Sequence, residues 1–324
     1  MTPPKCIKPG QVGLVTVGCI GRLYRLVPTR KTVKLTWKCL AAAAQRFSGK
    51  IRLHGFKFMS NHLHILLTDS GRVLPDFMRW FDSLLARSLN ASRGLSGKNF
   101  EGYELQVIEA DDAKRILEAA VYILLNPCAA HLVTRSRHWE GVSSVHMRFG
   151  ESRTFAKPAL GLWAGKLRHL RGRKSARSGR DKYARSVVPE TSTLTLHRLP
   201  GFDHLSTDEL DALLMAELDK GERMLIAMRR HHGIRVVGWR KVVAEHHNTV
   251  AATLRELFDR NPTFAASTDE RRERLARQQR EFRRAYYSAL RRYRAGDHSV
   301  EFPYGTWKMV RIYNASMAAP PIPS

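Results

Sequence analysis

Several absences narrow the possibilities before any motif is read. No run of 18 or more apolar residues occurs in the 324-residue chain, so there is no candidate for a membrane-spanning helix. Residues 12–20 are apolar enough to imitate the core of a signal peptide. They follow prolines and lead into Arg22 without a small-residue cleavage site, and they read as a strand instead. Cysteine is scarce: Cys6, Cys19, Cys39 and Cys128 lie far apart with no C-x-x-C pair. That excludes a zinc ribbon and a disulfide framework, and a reducing cytoplasm is the expected setting. No glycine-rich phosphate loop is present, so no nucleotide cofactor is expected. Acidic side chains are few as well, 29 against 55 lysines and arginines, which leaves a formal charge of +26. A surplus this large repels itself unless a polyanion offsets it, so nucleic acid is the first partner to consider.

What is there suffices for a core: 43% of the residues are apolar, and the length suggests about two domains. Up to about residue 150, short apolar runs alternate with amphipathic stretches, an α+β signature. Residues 12–19 read as a strand, 24–27 as its hairpin partner after the turn at Gly21, and 32–47 as a helix ending near Gly49. The apolar run 51–67 is too long for one strand and splits at Met59-Ser60-Asn61 into two antiparallel strands. Another helix is expected over 75–89. The clearest helix starts at Asp111 or Asp112. Ala113, Ile116, Leu117, Ala120, Val121, Leu124 and Leu125 keep the i, i+3, i+4 rhythm, and Pro127 is expected to stop it.

Between residues 166 and 185 stand nine lysines or arginines and one aspartate among scattered Gly and Ser, a solvated basic linker. Helices over 207–228 and 271–294 follow, then an apolar strand pair near 300–312. The expected organisation is a catalytic domain over 1–150, a basic linker over 151–190, a mainly helical accessory domain over 191–317 and a disordered tail over 318–324.

Two features can carry chemistry. His62 and His64 are two apart in a strand, so their imidazoles project side by side and can share one divalent ion. Tyr122 and Asn126 are four apart on the clearest helix, on one face displaced from its apolar stripe. Each also has a bland reading, as sheet histidines without a ligand, a core tyrosine and a helix-ending asparagine.

Together they resemble a family. F-M-S-N-H-L-H-I-L-L followed some sixty residues later by Y-I-L-L-N-P is similar to the single-tyrosine HUH transposases of insertion sequences, closest to the REP-associated tyrosine transposases. The strand G-L-V-T-V, Asn99-Phe100-Glu101, Trp139 and Ser143-Ser144 add to the likeness, which covers residues 10 to about 150. Where members often carry Y-I-H-x-N-P and then V-R-A-G, this chain has Leu124 and Cys128-Ala129-Ala130-His131.

The resemblance implies a ferredoxin-like antiparallel sheet with packed helices. It also implies an enzyme that cleaves and rejoins single-stranded DNA near hairpins such as repeated extragenic palindromes. Tyr122 would be the nucleophile, forming a 5′-phosphotyrosine. His62, His64 and Asn126 would hold Mg²⁺ or Mn²⁺. A monomer in the bacterial cytoplasm, associated with the nucleoid, is implied too.

Other chemistries fit less well. A zinc deaminase needs H-x-E and P-C-x-x-C, and here His62-Leu63-His64 and Pro127-Cys128 stand without a second cysteine. A two-metal nuclease needs convergent carboxylates, and Asp69, Asp76 and Asp82 read as turn, helix-start and surface residues. The different-class alternative is a domesticated DNA- or RNA-hairpin-binding protein without activity. Lys166, Arg168, Arg171, Arg173, Lys174 and Arg177 are the expected phosphate contacts. Phe282, Tyr286, Tyr287 and Tyr293, interleaved with arginines, are candidates for base contact.

Overall fold

The computed structural model describes residues 4–158, 189–252 and 262–321. Its centre is built from β1 (Gln11–Gly18), α1 (Arg30–Arg46), β2 (Ile51–Phe58), β3 (His62–Asp69), α2 (Leu74–Arg93) and β4 (Glu104–Ile108), in that chain order. The strands lie in the order β2-β3-β1-β4, each neighbour antiparallel. That is the split β-α-β arrangement of a ferredoxin-like sheet. A two-residue strand, β7 (Phe264–Ala265), adds to the free edge of β4 in parallel and makes the sheet mixed. Strand β4 itself was not legible in the sequence.

One face of the sheet is aromatic and dry. Phe56 and Phe58 on β2 meet Trp37 of α1 and Phe81 of α2 edge to face. Fully buried Phe77, Phe81, Leu84 and Leu85 line α2 where it covers that face. Each such side chain stabilises the fold by about 1.5 to 3 kcal/mol relative to exposure.

The opposite face carries α3 (Ala113–Ala129). Asp112 caps it by accepting from the Arg115 N–H. Pro127 does not stop this helix: it sits inside the last turn, where its missing N–H costs only the bond to the Ile123 carbonyl. Helix α3 also approaches β2 closely. A Cβ on Gly55 would come within 3.1 Å of Ile123 Cδ1, so a side chain there would force Ile123 to give by a few tenths of an ångström.

Later elements pack onto this core. Strands β5 (Ser152–Ala156) and β6 (Thr191–Thr195) form a two-stranded sheet, with Phe155 stacked on Trp37 of α1. Helix α4 (Thr207–His231), opened by a Ser206/Glu209 capping box, lies along α3. Leu194, Leu199, Phe202, Leu210 and Leu218 join the core of residues 7–149. Helix α5 (Trp239–Ala244) sets Trp239 against buried Trp139. Helix α6 (Asp269–Arg294) packs with α7 (Lys308–Tyr313) around Phe282, Tyr286 and Phe302.

Three expected strands are absent among the described residues. Residues 24–27 form a turn, tied down by a bond from the Tyr24 N–H to the Thr249 carbonyl rather than by a hairpin. In place of the strand pair near 300–312 there is α7, with isolated bridges from Phe302 to Met317 and from Thr306 to Cys6. No helix among the described residues is long and apolar enough to cross a membrane.

Candidate active site

Residues opposite each other in neighbouring strands share a face. Lys57 pairs with His64, His64 with Thr16, and Thr16 with Glu104, so the four form one row beneath α3. His62 lies two residues from His64 on the same face, with ring centroids 4.9 Å apart and rings near perpendicular.

Tyr122 and Asn126 descend from one face of α3 toward this row. The Tyr122 ring centroid is 5.8 Å from that of His64, and Asn126 Nδ2 donates to His64 Nε2 over 3.1 Å. The fold thus brings together His62, His64, Tyr122 and Asn126. Tyr122 is 54% exposed, and its position beside a buried histidine leaves it accessible to a large substrate.

The protonation of the two imidazoles follows from their partners. Burial holds the His64 pKa well below its ordinary value, and His62 acts in the same direction, so the ring is neutral at pH 7. Thr16 Oγ1 lies 2.9 Å from His64 Nδ1. With an amide N–H on the other nitrogen, the ring proton belongs on Nδ1 and the lone pair on Nε2. Asn61 Oδ1, which can only accept, lies 2.7 Å from His62 Nδ1 and assigns the same tautomer there. Both histidines therefore direct Nε2 as the basic atom, with Nδ1 anchored behind it.

No group of three or more His, Cys, Asp or Glu side chains converges among the described residues. A cation at this site would rest on two neutral imidazoles and the Asn126 amide. That donor set fits a divalent ion that keeps other positions for phosphate and water.

The carboxylates stand apart. Asp69 accepts from the N–H groups of Gly71, Val73 and Leu74, and Asp76 pairs with Arg79. Asp82 is not the surface residue that the sequence suggests. Its Oδ1 is sealed from solvent without a hydrogen-bond partner, and burial pushes its pKa up to about 8.

Other supporting residues escape sequence reasoning. Lys57 is fully buried, and burial pulls its pKa down to about 7 despite the opposing charge of Glu222. Its Nζ donates to Ser136 Oγ over 3.1 Å, and that hydroxyl donates to the Leu124 carbonyl over 2.6 Å. Glu222 of α4 accepts from the Ser136 N–H at 2.6 Å and from Arg135 at 3.0 Å. The network pins the stretch of α3 between Tyr122 and Asn126 to both β2 and α4. A buried polar chain of this kind holds only while every member is satisfied.

The expected phosphate contacts Lys166, Arg168, Arg171, Arg173, Lys174 and Arg177 lie outside the described residues. Of the aromatic candidates, Phe282 and Tyr286 are core residues of the α6 cluster rather than base contacts.

No family model and no curated protein matches the chain. Among solved structures, the chain is similar to a REP-associated tyrosine transposase bound to a REP hairpin. The TM-score is 0.39 and the identity 14%, over 45% of this chain and 83% of that one.

Proposed function

We propose that the chain is a DNA-processing enzyme of the HUH tyrosine class, which cleaves and rejoins single-stranded DNA near hairpins. One observation carries this reading. An accessible tyrosine, Tyr122, stands on one helix face with Asn126, and Asn126 meets the Nε2 side of a neutral His64 whose neighbour His62 has the same tautomer.

In this reading Tyr122 Oη attacks the phosphorus of a DNA strand. A Tyr–O–P bond forms and the P–O3′ bond breaks, so the tyrosine carries the 5′-phosphate. The phenol proton passes to solvent and the departing 3′ oxygen takes one up. One phosphoester replaces another, so rejoining a 3′-hydroxyl needs no nucleotide cofactor. His62, His64 and Asn126 would hold a divalent cation, which when bound supplies Lewis-acid polarisation of a non-bridging phosphate oxygen. Imidazole nitrogen is a softer ligand than Mg²⁺ prefers, so of Mg²⁺ and Mn²⁺ the donor set favours Mn²⁺. Thr16 and Asn61 keep the two imidazoles oriented, and the Lys57–Ser136–Glu222 network keeps α3 at its height above them.

The test is a covalent adduct. Labelled single-stranded hairpin oligonucleotides are incubated with protein and Mn²⁺ and run on a denaturing gel. The reading predicts a labelled band at the mass of protein plus DNA, lost in EDTA. No adduct across a broad hairpin set would favour a hairpin-binding protein without activity.

A further inference from the structure

A cleft of about 560 Å³ opens between the N-terminal segment, the start of β4 and the helices α6 and α7. Its walls are aromatic: Tyr103, Tyr287, Tyr293, Trp307 and Tyr313. Its charged lining is Lys5, Arg294 and Lys308, with no acidic residue among the side chains that form it. Arg294 and Lys308 are exposed and take no part in an ion pair among the described residues. Tyr313 is 52% exposed and Tyr287 is half-buried, so their rings present open surface to the cleft, while the Arg79 guanidinium lies over the half-buried Trp307 ring. The buried aromatics Tyr286 and Phe302 lie behind them and hold the wall.

A purely apolar groove would suit a helix or a peptide. Lys5 lies over the Tyr103 ring at 4.2 Å with Glu104 as an opposing charge, but open rings beside the unpaired Arg294 and Lys308 suit a ligand that carries flat π-faces and negative charge at once. Single-stranded nucleic acid has that chemistry: bases stack on aromatic side chains and phosphates track the cations. We propose that this cleft is a second binding site for single-stranded DNA, separate from the His62/His64/Tyr122 centre. The inference rests on the reading of the chain as a DNA-processing protein and extends it to a region that the motifs do not reach.

Position supports the assignment. Tyr103 immediately precedes Glu104, and Glu104 stands in the same cross-strand row as Thr16 and His64. Two strand spacings separate Glu104 from His64, about 10 Å between their backbones. Pro75 of α2 also lines the cleft, so the cleft lies on the face of the sheet opposite α3, and a strand seated in it would have to pass around the β4 edge to reach the candidate centre. The cleft would then hold unpaired DNA flanking a hairpin while the adjoining phosphate reaches Tyr122.

The test uses the full-length protein and a short labelled oligo(dT), with EDTA present so that no cleavage occurs. Tyr287→Ala and Tyr313→Ala should each weaken binding about five-fold or more, whereas Tyr313→Phe, which keeps the ring, should bind as wild type. An abasic strand of equal length and charge should bind the wild type more weakly than oligo(dT) and should not distinguish it from the alanine variants. Ultraviolet crosslinking followed by peptide mapping should place thymine on the segments around Tyr103 or Trp307. Thermal melting checks that the variants are folded.

Alanine variants that bind oligo(dT) as wild type would overturn the proposal, as would an abasic strand bound equally well or crosslinks confined to other segments. The two readings fail separately. Absence of a covalent adduct in wild type counts against the catalytic reading, while the ring-dependence of oligo(dT) binding is scored whether or not any adduct forms.

Discussion

Thr16 of β1 meets Nδ1 of His64 on the neighbouring strand while the Asn126 amide meets Nε2, and the two contacts together fix which nitrogen of the imidazole faces Asn126 and Tyr122. A strand-to-strand register thereby sets the chemistry of a side chain on a different element.

Thr16→Val removes the acceptor at nearly constant volume. His64 then loses the Nδ1 partner that anchors it while its ring still packs. Manganese affinity, followed by calorimetry or by the Mn²⁺ dependence of adduct formation, should fall by about 10- to 100-fold. Thr16→Ser should restore most of it. A valine variant with wild-type Mn²⁺ affinity would remove Thr16 from the site.

Asp82 gives a pH signature with a definite sign. Its pKa stands at about 8 in the folded chain against an ordinary 3.8, so between those values the folded state binds more protons than the unfolded one. Stability contributed by the protonated carboxyl is complete below about pH 4 and is lost as pH rises through 8. Asp82→Asn keeps the shape and cannot ionise. Its unfolding free energy should exceed that of wild type at pH 8 by about 1 to 3 kcal/mol, and the gap should close toward pH 4. A constant gap across this range would show that the carboxyl is not shielded.

The basic stretch between 166 and 185 is argued from charge alone. Each phosphate contact with a single strand contributes roughly 0.7 to the slope of log affinity against log salt. Replacing Arg171, Arg173, Lys174 and Arg177 by glutamine should flatten that slope by about 2 to 3. Adduct formation at saturating DNA should change little. An unaltered slope would mean that the stretch is a solvated tether.

How much of this could be read from the sequence depends on range. The β2–β3 hairpin was legible because its break at Met59-Ser60-Asn61 interrupts a continuous apolar run, and α1, α2 and α3 because their apolar periodicity is strong. The spacing of His62 with His64, and of Tyr122 with Asn126, is local arithmetic on a strand and a helix. What sequence could not give is what lies across the fold. The turn at residues 24–27 is held by residues near 249, and β4 is a short strand between antiparallel β1 and parallel β7 with no clean alternation. Thr16 joins His64 only through strand register. Lys57 reads as an ordinary charge until α3, Ser136 and Glu222 bury it. Pro127 misleads because proline at the end of a helix costs little when the last turn has other partners.

The most direct measurement locates the covalent bond. After reaction with a hairpin oligonucleotide and Mn²⁺, nuclease and trypsin digestion releases the peptide that begins at Ile116 and contains Tyr122. Mass spectrometry should find it carrying a 5′-phosphonucleotide on Tyr122, and the Tyr122→Phe protein, which loses one exposed hydroxyl and keeps its ring, should yield no adduct while still binding the hairpin. A nucleotide attached to any other side chain, or a phenylalanine variant that still forms the adduct, would contradict the account.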